Sequence, residues 1–292
     1  MIGLIAQAAE AGAQAVAEAP EKFSPTAEFE DAVKPLVFGG HELALKIGPL
    51  DLSISKAVIY LWLAGLIVCL FGYIVAKTVK MLPTRKQMAF EALYEYVRDN
   101  LVGAVMHGKI AIAWFPYILT LFMFILISNL IGLIPFFLGV DHRGIPAIAT
   151  YAATSNINVT VALAAMTFVL THASGIRANG PVGYFKGWVP GSAPGPLKPV
   201  LFLIHTVSEI FRLVSLGVRL FANLLAGHIM ILVFYALIFL LPSILMIFAL
   251  SWLIELGVIA ISLFEIFVAA IQAYIFAILT AVYIGGAIQQ EH

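Results

Sequence analysis

Stretches of twenty or more near-continuous apolar residues recur along this chain, and no other property so restricts what it can fold into. A helix of that length matches the hydrocarbon core of a bilayer. Lipid must be the solvent. Of the 292 residues, 62% are hydrophobic and 11% charged, and the mean hydropathy is +1.02. A water-soluble domain reaches such values only by exposing large apolar patches. Net charge is zero, which argues against nucleic acid as a partner. The one cysteine, Cys69, lies inside an apolar stretch, allows no internal disulfide and reads as a small packing residue.

The expected fold is an all-α integral membrane protein with five passes and an amphipathic surface helix. Residues 1–56 read as an extramembranous tail. Met1 to Phe23 is alanine-rich and acidic, without the positive start and longer apolar centre of a secretory signal, so a retained, mobile segment is expected. Residues 24–56 mix Pro, Gly and charges with short alternating runs. The region 57–199 holds three spans, at about 57–79, 112–138 and 149–171, the last two forming an antiparallel hairpin. Between the first two, residues 84–106 place Phe90, Leu93, Tyr94, Val97, Leu101 and Val105 at helical spacing, as in a helix lying on the surface. The stretch 177–199, rich in Gly and Pro, reads as a loop.

Residues 200–292 form two long segments divided at Pro242. A helix of some forty residues is about 60 Å long, roughly twice the hydrocarbon thickness. Each segment therefore either breaks into two short spans or lies steeply tilted. Because no further Pro and no charged turn interrupts them, a tilted helical hairpin is expected. Lys and Arg cluster in 77–109 and 177–198, whereas the 139–146 loop holds only Arg143. The positive-inside rule then puts the N-terminus outside and the C-terminus in the cytoplasm.

Across 200–292 the only Lys or Arg residues are Arg212 and Arg219. An arginine near mid-membrane costs from roughly 2.5 kcal/mol on insertion scales to 10 or more in simulations, and escape to a headgroup needs an end position. Arg219 has none. On a 3.6-residue helix His205, Ser208, Arg212, Ser215 and Asn223 fall within about 40° of its direction, with Glu209 off to the side. A continuous polar stripe on an apolar helix is a wet path or a partner-facing seam. His228 points about 180° away. The last segment carries its own stripe of Ser251, Glu255, Ser262, Glu265 and Gln272. Carboxylates there without lysine partners exchange protons where water reaches them, as a relay requires; for Glu255 an interfacial position is the plainer reading. Ser128-Asn129 and the run Thr154 to Asn158 read as hydrogen bonding between helices. His107, His142 and His172 read as loop or interface residues. Histidines are scattered without ligand spacing, and neither a phosphate-binding glycine loop nor a nucleophile elbow occurs, so no metal, no cofactor and no enzyme activity of the chain's own are expected.

Ser215-Leu216-Gly217-Val218-Arg219-Leu220-Phe221-Ala222-Asn223 followed by Ala226-Gly227-His228 resembles the signature of subunit a of F-type ATP synthases. Gln272-Ala273-Tyr274-Ile275-Phe276 resembles its second, C-terminal signature, and Asn129 to Pro135 and Asn156 to Thr160 match weaker motifs; the resemblance covers about residues 57–288. It implies that Arg219 is the family's essential arginine, that Asn223 and Gln272 are its polar neighbours, and that His228 and Glu265 form an acid–base pair serving an outward half-channel. It further implies, as partners, a ring of c subunits, peripheral-stalk b subunits and the rest of the synthase, in an energy-transducing membrane such as the bacterial inner membrane. Two departures stand out. Where many members carry a glutamate fourteen residues before the arginine, this chain has His205 with Glu209 nearby, and the usual acid near Asn156 is an amide. A stand-alone transporter or channel, and a structural subunit whose stripe is helix glue, are the competing readings; no inverted repeat favours the first.

Overall fold

The computed structural model describes residues 37–38, 41–42, 46–47, 50–51, 56–80, 84–133, 152–239 and 244–289, without the side chains of 37–38, 41–42, 46–47, 50–51, 56, 86, 228, 231–232, 234–239 and 244–251. Before the first span, four two-residue strands form two antiparallel pairs, β1 (Val37–Phe38) with β2 (His41–Glu42) and β3 (Lys46–Ile47) with β4 (Leu50–Asp51). The rest of the tail, His142 and the 139–146 loop lie outside the described residues. The rest of the described chain is mostly helical. Among the described residues five helices are long and apolar enough to cross a membrane, as an all-α integral membrane protein requires.

Helix α1 spans Lys56–Thr78. Helix α2 (Arg85–Tyr96) is capped by Thr84, whose hydroxyl accepts from Gln87 N at 3.4 Å. It is shorter than the amphipathic pattern suggests because the chain widens into a π turn at Val97–Val102. That turn keeps Val97, Leu101 and Val102 buried, and edge-on ring contacts of Phe90 with Phe71 and Tyr94 with Phe115 dock α2 on its neighbours. On the exposed side a hydrogen bond from Arg98, 2.8 Å long, holds the Asp99 carboxyl below the usual carboxylate range.

Helix α3 covers Gly108–Leu133, and α4 covers Ile157–Asn179, entered through a 3-10 turn at Ala153–Ser155. Asn156 does not bridge helices; its side chain caps α4 by accepting from Asn158 N at 2.9 Å. Nor is 177–199 simply a loop. Helix α4 continues to Asn179, Gly180 turns the backbone with φ +72°, and Pro181 starts a short helix α5, Pro181–Lys186. Glycine supplies the left-handed stop and proline the preset start. The α5 segment packs under α4 and the end of the chain: Tyr184 lies against Gly175, and Asn179 Nδ2 donates to Ala287 O at 3.0 Å. A Cβ on Gly175 would overlap the Tyr184 ring and come 3.1 Å from Ala287 O. Gly175→Val is accordingly expected to cost about 1–3 kcal/mol, as overpacking does, read as an earlier unfolding midpoint of the detergent-purified protein; an unchanged midpoint would contradict this packing.

The last two helices, α6 (Lys198–Phe239) and α7 (Ile244–Ile288), have 42 and 45 residues and run without a break. At 1.5 Å per residue they are about 63 and 68 Å long, which removes the alternative of four short spans; helices of that length fit a bilayer only at a steep tilt. They pack on each other and on α4, while α3 packs along α7 and α1 lies outside α3. The seam of α7 is built from Ala269, Ala273, Ala277 and Ala281, every fourth residue and all buried, joined by Phe276, Thr280 and Ile284. Small residues at that spacing let neighbouring backbones approach closely, which is how helices associate in lipid. Gly217 does the same for α6, where a Cβ would sit 3.4 Å from Thr160 O on α4.

Candidate functional site

Of the long helices, α6 is the most strongly amphipathic, and its polar residues divide into three groups along its length. Near its start, Glu209 is buried although the stripe direction puts it to one side. Its Oε1 lies 3.2 Å from His205 Nε2 and 2.5 Å from Arg212 Nη1, the pairs made at i,i+4 and i,i+3 by helix geometry alone. A buried carboxylate needs such partners, since an unpaired charge in a medium of low dielectric is expensive. The Arg212 guanidinium also sits over the Tyr283 ring of α7, 5.1 Å from its centre. Glu209, Arg212 and Tyr283 border a pocket between α4, α6 and α7 that Thr167, Thr171 and His172 complete from the α4 side. Thr167 and Thr280 bring their hydroxyls within 3.5 Å across the same junction.

In the middle stands Arg219, exposed, one turn beyond Ser215, which accepts a hydrogen bond from Nη2 at 3.3 Å. Among the described residues that is its one hydrogen-bond partner. Ser208, Arg212, Ser215 and Asn223 share this exposure, although Arg212 and Asn223 also reach side chains of α7. Around it large apolar side chains are exposed as well, among them Phe211 on α6 and Trp252, Leu256, Leu263 and Phe267 on α7.

Farther along lies a second pocket, between α3, α6 and α7. Asn223 Nδ2 donates to Gln272 Oε1 at 2.8 Å, joining the two stripes directly. Glu265 is buried beside them, its Oε2 without a hydrogen-bond partner among the described residues. It fits there because Gly227 has no side chain: a Cβ at that position would overlap the Glu265 carboxyl. Asn129 reaches the same pocket from α3, donating to Ala269 O at 3.3 Å while accepting from Thr154 Oγ1 at 2.7 Å. Three helices thus converge on one carboxylate, and a buried oxygen without a partner calls for a proton or water.

Glu255 is exposed and far from either pocket, and Ser262 donates to its own helix at Val258 O, 2.9 Å. The side chains of His228 and Ser251 lie outside the described residues. The structure therefore brings together Asn223, Gln272 and Glu265 in one place, His205 and Glu209 in another, and leaves Ser215 with Arg219 between them. Sequence spacing missed Tyr283, Thr171 and His172 around the Glu209 pocket and Trp188 beside His205. None of them lies on α6, so no helical period links them to Glu209.

Comparison with known proteins follows the same lines. The family described as "ATP synthase A chain" matches residues 58–285. ATP synthase subunit a of Rubrobacter xylanophilus is 42% identical over 245 residues, covering 82% of this chain and 86% of the relative. The same subunit of Gluconacetobacter diazotrophicus is 37% identical over 254 residues, 86% of this chain and 95% of the relative. That of Methylobacterium sp. is 34% identical over 274 residues, 93% and 99% respectively.

Proposed function

This chain belongs to the ATP synthase A chain family, and from that premise we propose that it forms two offset half-channels which meet a ring of c subunits at different heights, with Arg219 between them. As a member of that family it is a multi-pass membrane subunit of the proton-translocating Fo sector and not the site of ATP chemistry.

The observation that carries the finer reading is the order along α6. The Glu209 pocket and the Glu265 pocket are separated by the exposed arginine, which lies ten residues, about 15 Å, beyond Glu209 and eight residues, about 12 Å, before Gly227. Guanidinium stays protonated in proteins, so Arg219 blocks proton passage along α6 while holding a ring carboxylate in its ionised form. Protons then enter the ring at one pocket, travel round with rotation and leave at the other. Residues 200–292 carry this path, the three spans of 57–199 brace it, and residues 1–56 lie outside the membrane. The N-terminus faces outward and the C-terminus the cytoplasm of a bacterial inner membrane, so the Glu209 pocket, beside the basic 177–198 segment, opens inward, and the Glu265 pocket with His228 opens outward. His205 and Glu209 together take the place of the glutamate that many relatives carry. Exposed apolar faces on α6 and α7 support coverage by other subunits, the c ring foremost and the b subunits of the stalk.

Reconstitution tests this. The purified chain alone is expected to pass no protons in liposomes, and to co-purify from native membranes with a small two-span proteolipid bearing a mid-helix carboxylate. Proton current through the isolated chain would point to a self-contained channel or transporter instead.

A further inference from the structure

We propose that His172, on α4, is a further proton-carrying residue of the inward-opening path, exchanging protons between the surface formed by α5 and its following loop and the Glu209 pocket. The inference rests on the two-path reading above. His172 is half-buried, and its ring is held from three sides: stacked on Phe168 at 4.0 Å between centres, with Tyr184 at 5.8 Å and Trp188 at 6.0 Å meeting it edge-on. Its Nδ1 lies 3.0 Å from Phe168 O. A carbonyl only accepts, so Nδ1 carries a hydrogen and donates, which leaves Nε2 as the nitrogen that binds or releases a proton.

The same ring borders the Glu209 pocket. Beside it, the hydroxyl of Thr171 is buried with no hydrogen-bond partner among the described residues, and buried groups of that kind are satisfied by water. Trp188 contacts two imidazoles, His172 at 6.0 Å and His205 at 4.7 Å between ring centres, and His205 in turn reaches Glu209. The titratable and charged groups facing His172 are Tyr184 from α5, His205, Glu209 and Arg212 from α6, and Tyr283 from α7. In one passage a proton from the aqueous side bonds to Nε2 and makes the imidazolium; that bond then breaks as the proton moves through pocket water to Glu209 or His205, and the lone pair returns to Nε2. Nothing is oxidised or reduced. Packing alone would account for an aromatic residue here, but a ring with a nitrogen able to take a proton also suits the border of a pocket that holds a carboxylate.

The experiment measures ATP-driven proton pumping by the whole complex in proteoliposomes as the pH on the ATP side rises from about 6.5 to about 9. His172→Phe keeps the ring contacts, His172→Gln keeps a hydrogen-bonding side chain, and neither titrates. Both are expected to pump near the parent rate at the acid end, where protons are plentiful, and about tenfold more slowly at the alkaline end. Added imidazole is expected to restore His172→Ala. A parent-like profile in His172→Phe, or a loss equal at every pH that imidazole does not repair, overturns the proposal, and His172→Phe decides the matter if the other variants fail to assemble. Arg219→Ala is run alongside. If it stays coupled, the two-path reading itself fails; if it uncouples while the His172 variants keep the parent profile, only the present inference fails.

Discussion

Arg219→Ala is expected to abolish proton-driven ATP synthesis while the membrane still leaks protons. The arginine is exposed on α6 with only Ser215 as a hydrogen-bond partner among the described residues, so its charge is free for something outside this chain. In the proposed mechanism a permanent cation there keeps an opposing carboxylate ionised and denies a direct route from the Glu265 pocket to the Glu209 pocket. Alanine removes the block and the counter-charge together. Each proton crossing 100 mV carries about 2.3 kcal/mol, and a short circuit dissipates it without rotation. Vesicles energised by respiration or an acid bath would show ATP synthesis at background and passive proton flux at or above the parent level. Retained coupled synthesis would sink the mechanism. Arg219→Gln adds a second discrimination, because near-normal proton flux combined with lost assembly would favour a purely structural stripe.

Replacing the second key group has a different signature. Glu265→Gln is expected to lower proton transport by about a hundredfold or more, the scale on which positioned proton-transfer groups act, without the leak. Glutamine nearly matches glutamate in volume, and Oε2 has no hydrogen-bond partner among the described residues, so the helices should pack as before. What disappears is the site that binds and releases the proton. The measurement is ATP-driven pumping by the reconstituted complex, with ATP hydrolysis by the released soluble sector as the control for assembly. Gly227→Ala offers an independent check, since its methyl would overlap the Glu265 carboxyl and displace it from the pocket. Pumping at the parent rate in Glu265→Gln would remove this residue from the path.

Much of this architecture is legible in the sequence because membrane helices are written in long, unmixed runs. The extent of α6 and α7 follows from the absence of proline between Pro199 and Pro242 and after it. Asn223 and Gln272 belong to separate stripes in the sequence and meet in a hydrogen bond in the structure. The segment 177–199 misleads for a specific reason: Gly180 and Pro181 punctuate a loop as readily as they stop one helix and start another. Glu209 shows the limit of helical periodicity. An angle on the wheel puts it beside the stripe, but only the positions of α4 and α7 reveal that beside means buried, against Tyr283 and the pocket that His172 borders. Partners contributed by other helices leave no period to read.

The alanines at every fourth position of α7 have a mechanical consequence. Alanine has no rotamers to surrender or to shift, so a joint made of Ala269, Ala273, Ala277 and Ala281 against neighbouring helices resists shear through backbone contact instead of yielding through side-chain rearrangement. In the proposed mechanism this chain is the stationary partner of a rotating ring, and it must then take the reaction torque of each step without deflecting. On that reading α7 serves as a stiff anvil, and elastic storage between steps resides elsewhere in the assembly.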